Sequence, residues 1–150
     1  MELHYVLKNG LPSQPELASL LNLLATVFTN QSQADLLTEL NYQQARTGIQ
    51  ILLALENEQI VGCKLGYERK PGHYYSWLGC VDPSYRGRGI AKELMNRQHD
   101  WCREQNYSTV RTQTYNQWRE MLILNLRCGF DIIGTVQGRH GLTIVLEKII

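Results

Sequence analysis

Two arginines alternate with two glycines at Arg86-Gly87-Arg88-Gly89, where a strand-like run gives way to a helix-like one. That pattern suits the capture of an oxyanion, a phosphate above all. Ile90, Ala91, Leu94, Met95, Gln98, Trp101 and Cys102 then recur at helical spacing, with Gln98 as the one polar member. The glycines therefore precede the first turn of a helix, whose N–H groups lack intrahelical partners and whose dipole presents its positive end. An anion seated there gains several hydrogen bonds at once. Gly87 and Gly89 leave the backbone bare for close approach, and Arg86 and Arg88 add positive charge. A turn that merely links strand to helix is the plainer reading of the same residues.

The elements that position this loop follow from periodicity. Leu3 to Leu7 reads as a short strand, and Leu17, Leu20, Leu21, Leu24 and Phe28 mark the buried face of a first helix. A second helix covers Gln33 to Arg46, with Leu36, Leu37 and Leu40 inward and Gly48 just past its end. Strands at Ile49–Leu55, Ile60–Tyr67 and Tyr74–Val81, joined by polar or Pro-Gly turns, form an antiparallel meander that leads into the glycine loop. After the loop helix come a strand at Ser108–Thr114, in parallel crossover, and a helix at Trp118–Arg127 closed by Cys128-Gly129. Ile132–Val136 and Leu142–Leu146 make a final hairpin.

The 150 residues suit a single domain, 1–150, of mixed α/β class. Fifteen basic and fourteen acidic residues argue against a general nucleic-acid or membrane surface. Cys63, Cys80, Cys102 and Cys128 are too far apart in sequence for a zinc site, and no metal is expected. Buried, reduced thiols fit them better than a disulfide framework. No apolar run is long enough for a membrane span, and Met1-Glu2-Leu3-His4 has no signal-peptide character, so a soluble cytoplasmic protein is expected.

Arg86, Gly89 and Ala91, preceded by Val81, Pro83 and Tyr85, resemble the signature of the GNAT superfamily of N-acetyltransferases: Arg or Gln, two residues, Gly, one residue, then Gly or Ala. The element order βααβββαβαββ is that of the GNAT fold, a mixed and mostly antiparallel sheet with helices on both faces. The resemblance implies acetyl-coenzyme A as cosubstrate. It also implies that the strand before the loop and the parallel strand after the helix splay into a V that holds the pantetheine arm. By the same resemblance, the coenzyme is held by Cys80 and Val81 through their backbone, by Arg86 to Ala91 with Ile90 included, and by Asn116 and Asn125. A backbone N–H near Cys80 and Val81 would polarise the thioester carbonyl.

An amine with pKa ~10.4 costs about 4 to 5 kcal/mol to neutralise at pH 7, whereas a thiol of pKa ~8.5 needs only about 2 kcal/mol of help from an acid. A missing general acid should therefore hurt less than a missing base. GNAT enzymes commonly place a tyrosine four residues before the Gly-Phe that follows the last helix, and here Asn125 stands there, on a stripe with Trp118, Met121 and Leu122. An amide there can hydrogen-bond but cannot pass on a proton. The family's asparagine seven residues earlier is replaced by Trp118, with Asn116 close by as a substitute. Its occasional strand glutamates are replaced by Tyr75 and Gln113. Candidates for the catalytic groups are thus Glu68, His73, Tyr75 and Asn125, with a water relay as a rival to any side-chain base. Tyr67, Tyr74, Tyr75 and Trp77 could line an acceptor pocket, or equally belong to the core. A nucleophilic Cys80 lacks a paired base.

The expected function is acetyl transfer to a primary amine of a small molecule, a peptide terminus or a lysine. A non-catalytic acyl-coenzyme A binding module is the alternative that the missing tyrosine and glutamates suggest. An RNA-bound acceptor finds little support in a net charge of +1. No nucleic-acid or membrane partner is expected, and the chain would act as a monomer or homodimer.

Overall fold

The computed structural model describes residues 2–150; Met1, which opens the N-terminal stretch read above, lies outside the described residues. The chain runs β1 (His4–Asn9), α1 (Glu16–Val27), α2 (Gln33–Thr47), β2 (Gln50–Glu56), β3 (Gln59–Lys70), β4 (His73–Val81), α3 (Ile90–Glu104), β5 (Thr109–Tyr115), α4 (Arg119–Arg127), β6 (Asp131–Gly138) and β7 (Gly141–Ile149). This is the expected order. All seven strands share one sheet in the order β1-β2-β3-β4-β5-β7-β6, with β4 and β5 its one parallel pair. No helix among the described residues is long and apolar enough to cross a membrane.

Period-two alternation splits the strand residues between two layers. On one face Leu20, Leu24, Leu36 and Leu40 of α1 and α2 pack on Ile51, Leu53, Cys63 and Leu65. On the other, Ile90 and Leu94 of α3 meet Ala54, Val61 and Val81, while Met95 and Cys102 pack with Tyr74, Val110 and Leu146. Ser32 caps α2, its hydroxyl accepting from Asp35 N at 3.1 Å.

Some expectations shift. β3 runs three residues past Tyr67, because its pairing with β4 continues to Lys70 and His73. Trp118 precedes α4 rather than opening its buried stripe; it is 42% exposed and rests on the rings of Phe28 and Tyr115. The edge strand β6 exposes Ile132, Ile133 and Val136.

Candidate active site

The parallel pairing of β4 with β5 runs from His73/Thr109 to Ser76/Thr112 and stops there, fastened by the Thr112 hydroxyl donating to Ser76 O at 2.9 Å. Beyond it β4 continues to Val81 beside β3, and β5 continues to Tyr115 beside β7. The strands thus part at their upper ends, as the resemblance implies. A bulge coincides with the parting, because Leu65 pairs with Leu78 but Gly66 pairs with Ser76, leaving Trp77 as the extra residue.

Which backbone groups face the gap follows from one hydrogen bond. Along a strand the N–H and C=O of a residue share a side, and successive residues alternate. Asp82 N donates to Val61 O at 2.8 Å, so Cys80 also faces β3, while Gly79 and Val81 face the gap. The ladder therefore turns the Cys80 backbone away from the position expected of it and puts Gly79 there. Arg86 Nε donates to Val81 O at 3.3 Å and ties the loop to this edge.

Past Val81, Asp82 caps a single 3-10 turn at Pro83–Tyr85 by accepting from Ser84 N at 2.8 Å. The Tyr85 hydroxyl donates to Glu56 at 3.1 Å, and the Arg88 guanidinium lies 4.9 Å from the Tyr85 ring centre. Gly87 and Gly89 hold φ values of 79° and 78°, a left-handed region costly to residues with a β-carbon. A β-carbon at either glycine would meet nothing within 4 Å, so the space before the helix is open. The first α3 bond runs from Glu93 N to Gly89 O, and no side chain caps the helix. The amides of Ile90, Ala91 and Lys92 therefore lack intrahelical acceptors. Glu93 stands in the first turn but is engaged by Arg97 at 2.8 Å.

Cys63, Lys64, Gly79, Cys80, Val81, Ala91, Leu94 and Met121 line a narrow depression on the α3 side of the gap. Lys64, which sequence reasoning passed over, reaches across to Gly79; its Nζ lies 3.5 Å from where a β-carbon there would sit. Burial lowers its pKa to about 8. The signal that could have found it is a charged residue between Cys63 and Leu65 in the otherwise uncharged run from Ile60 to Tyr67. His99 is buried too, its Nε2 without a partner, and burial, then Lys148, Lys64 and Arg103, lower its pKa to about 3.

On the opposite face, Tyr67, Arg69, Tyr75, Trp77, Arg111 and Gln113 line an open cleft of about 290 Å³ at the foot of the V. Tyr67 packs against Tyr75 and Trp77, with ring centres 5.3 and 5.7 Å apart. Tyr74 does not join them. It lies one residue out of phase, fully buried on the α3 face against Trp101 and Tyr107.

Asn125 is buried on α4, and Asn116 is exposed in the turn between β5 and α4. Glu68 and His73 sit at the lower end of the sheet, away from the gap, because β3 and β4 are joined by a tight turn there. Glu68 accepts from the Tyr107 hydroxyl at 3.0 Å, and His73 Nδ1 stands 3.5 Å from Arg69. Burial, reinforced by Tyr67 and Tyr115, raises the Tyr75 pKa, so its phenol stays protonated. The Cys80 thiol lies 3.7 Å from that of Cys63, and this contact, with burial, also raises its pKa. It is not a thiolate nucleophile. Among the described residues no three His, Cys, Asp or Glu side chains cluster to hold a metal ion.

The sequence profile described as the acetyltransferase (GNAT) family matches residues 17–130. No curated protein is a significant sequence match. Solved structures are similar throughout. Ard1 from Thermoplasma volcanium aligns over 97% of both chains with a TM-score of 0.80 and 20% identity. The PaiA N-acetyltransferase from Thermoplasma acidophilum, solved in complex with coenzyme A, aligns over 100% of both chains with a TM-score of 0.76 and 14% identity. A ribosomal-protein-alanine N-acetyltransferase from Brucella melitensis aligns over 97% of this chain and 99% of its own, with a TM-score of 0.74 and 18% identity. With the profile spanning most of the chain and the parted strands leading into an uncapped glycine loop, the chain belongs to the acetyltransferase (GNAT) family.

Proposed function

We propose that the chain transfers the acetyl group of acetyl-coenzyme A to a primary amine of a small molecule, a peptide terminus or a lysine. The observation that carries this is the run of exposed backbone groups from the β4 edge, at Gly79 and the Val81 N–H, to the uncapped amides of Ile90 to Lys92. The two ends suit the two ends of the coenzyme. Strand-edge groups match the amides of a pantetheine arm, and a helix N-terminus flanked by Arg86 and Arg88 matches a pyrophosphate. The open space in front of Gly87 and Gly89 supports that fit. When bound, the coenzyme supplies an activated acyl group on a thiol that leaves readily.

The chain's own residues then have limited tasks. The Gly79 or Val81 N–H, pointing into the gap, is placed to polarise a carbonyl, and Asn125 on α4 offers an amide to a nearby heteroatom. The protonated Cys80 thiol favours direct transfer over a covalent acyl-enzyme. None of the six cleft-lining residues is acidic, which favours proton release through water. That same observation, with Asn125 in place of a phenol, favours the second reading, a binding module without turnover. A panel of primary amines assayed for thiol release from acetyl-coenzyme A separates the two. Release with at least one amine supports transfer; coenzyme binding by calorimetry with no release from any amine supports the module.

A further inference from the structure

This inference deepens the reading just given and rests on it for the cleft being the acceptor's. The geometry points to an acceptor that carries its own carboxylate: a small amine of the amino-acid type with an apolar or aromatic remainder, held in the cleft of Tyr67, Arg69, Tyr75, Trp77, Arg111 and Gln113. The Arg69 Nε is closed off from solvent with no hydrogen-bond acceptor, and the guanidinium's polar contact is with His73 Nδ1 at 3.5 Å. A buried N–H without an acceptor is costly, and a guanidinium presents its donors in a planar fork that matches a carboxylate. Arg111, by contrast, is already satisfied, with Glu147 accepting from its Nε at 2.9 Å and its Nη2 at 2.8 Å.

Charge points the same way. The cationic groups among the cleft-lining residues are Arg69 and Arg111, with Glu147 as the counter-charge on Arg111 and His73 beside Arg69; Arg46 of α2 adds its charge to Tyr67 from outside the lining. Among the described residues neither Arg46 nor Arg69 has a carboxylate ion-pair partner. An incoming carboxylate fills that vacancy. The surplus positive field also favours the neutral form of the amine, the form that attacks, and so lightens the task of a site with no acidic lining residue. Polyamines bring only more positive charge. The aromatic walls formed by Tyr67, Tyr75 and Trp77 suit a flat or apolar remainder, and a volume of about 290 Å³ is at the small-molecule end of ligand sites.

The test compares L-phenylalanine with L-phenylalaninamide, which differ in the carboxylate and therefore also in amine pKa, and with spermidine, using the full chain and acetyl-coenzyme A with every kcat/KM expressed per neutral amine. Phenylalanine should show a kcat/KM at least about tenfold above the amide, as a charge-assisted bidentate contact implies. In Arg69→Gln that ratio should fall to within about twofold through loss of phenylalanine turnover alone, and Arg69→Lys should restore part of it. Equal or better use of the amide or of spermidine, or a preference that survives in Arg69→Gln, overturns the inference. If thiol is released from no amine although the coenzyme binds, the catalytic reading fails separately. Calorimetry on the coenzyme-loaded chain then decides: tighter binding of phenylalanine than of its amide upholds the carboxylate site, and equal binding overturns it.

Discussion

The two faces of the gap are built from different materials. On the α3 side the loop and β4 edge present backbone: glycine φ angles, helix-terminal amides, and the gap-facing groups of Gly79 and the Val81 N–H. On the α1–α2 side the cleft presents side chains from three strands, Tyr67 and Arg69 of β3, Tyr75 and Trp77 of β4, and Arg111 and Gln113 of β5. A site made of backbone tolerates almost any side chains around it, so unrelated members of a fold can share it. A site made of side chains changes with each substitution.

The sharpest way to break this contrast is Gly89→Glu, which puts a carboxylate into the anion seat and forces a left-handed φ on a residue with a β-carbon. Calorimetry should show coenzyme affinity reduced by about 100-fold or more, with the circular dichroism spectrum unchanged. Acidification attacks the α3 side from within. The folded chain keeps His99 neutral down to about pH 3, while the unfolded chain protonates it near its ordinary value of 6.5. Between those values the unfolded state binds more protons, so stability is lost as pH falls. The loss between pH 6.5 and 4.5 should be about 2 kcal/mol, and urea unfolding of His99→Leu should show a flatter dependence.

Tyr67→Ala tests the cleft by itself. Acceptor KM should rise about tenfold while coenzyme affinity stays within about twofold, because the lost aromatic wall serves the amine alone. Equal damage to both constants would erase the division between the faces. The smallest effect is reserved for Tyr75→Phe. Since the phenol is held protonated, the alkaline limb of the pH–rate profile should not move up to about pH 10. A shifted limb would make Tyr75 a proton carrier.

Much of the side proposed to hold the donor was legible from residues close together in the chain. Val81 to Ala91 is one local run, and its positive φ values and free amides are properties of that run. The helical stripe from Ile90 to Cys102 was likewise local, apart from His99, which periodicity left outside and packing buried. The side proposed to hold the acceptor was half legible. Three of the four aromatic residues singled out meet in the cleft, and Tyr74 does not, because alternation sends it to the other face. Glu68 lies near the end of the third strand and His73 opens the fourth, and the structure keeps both at the β3–β4 turn, with His73 beside Arg69 at the margin of the cleft. The Cys80 backbone pairs toward β3 and leaves Gly79 and Val81 at the gap, because successive residues of a strand reverse their hydrogen-bonding side.

By itself, then, the sequence determined the order of the elements, the amphipathic faces and the left-handed glycine turn before α3, since each depends on propensities and contacts within a few residues. Tertiary structure alone decided where β4 and β5 part, that Trp77 bulges there, that Lys64 reaches over Gly79, and that the Arg69 Nε is buried without an acceptor beside three aromatic rings. Those outcomes depend on register between strands as far apart as residues 67 and 113, and a shift of one position exchanges the faces.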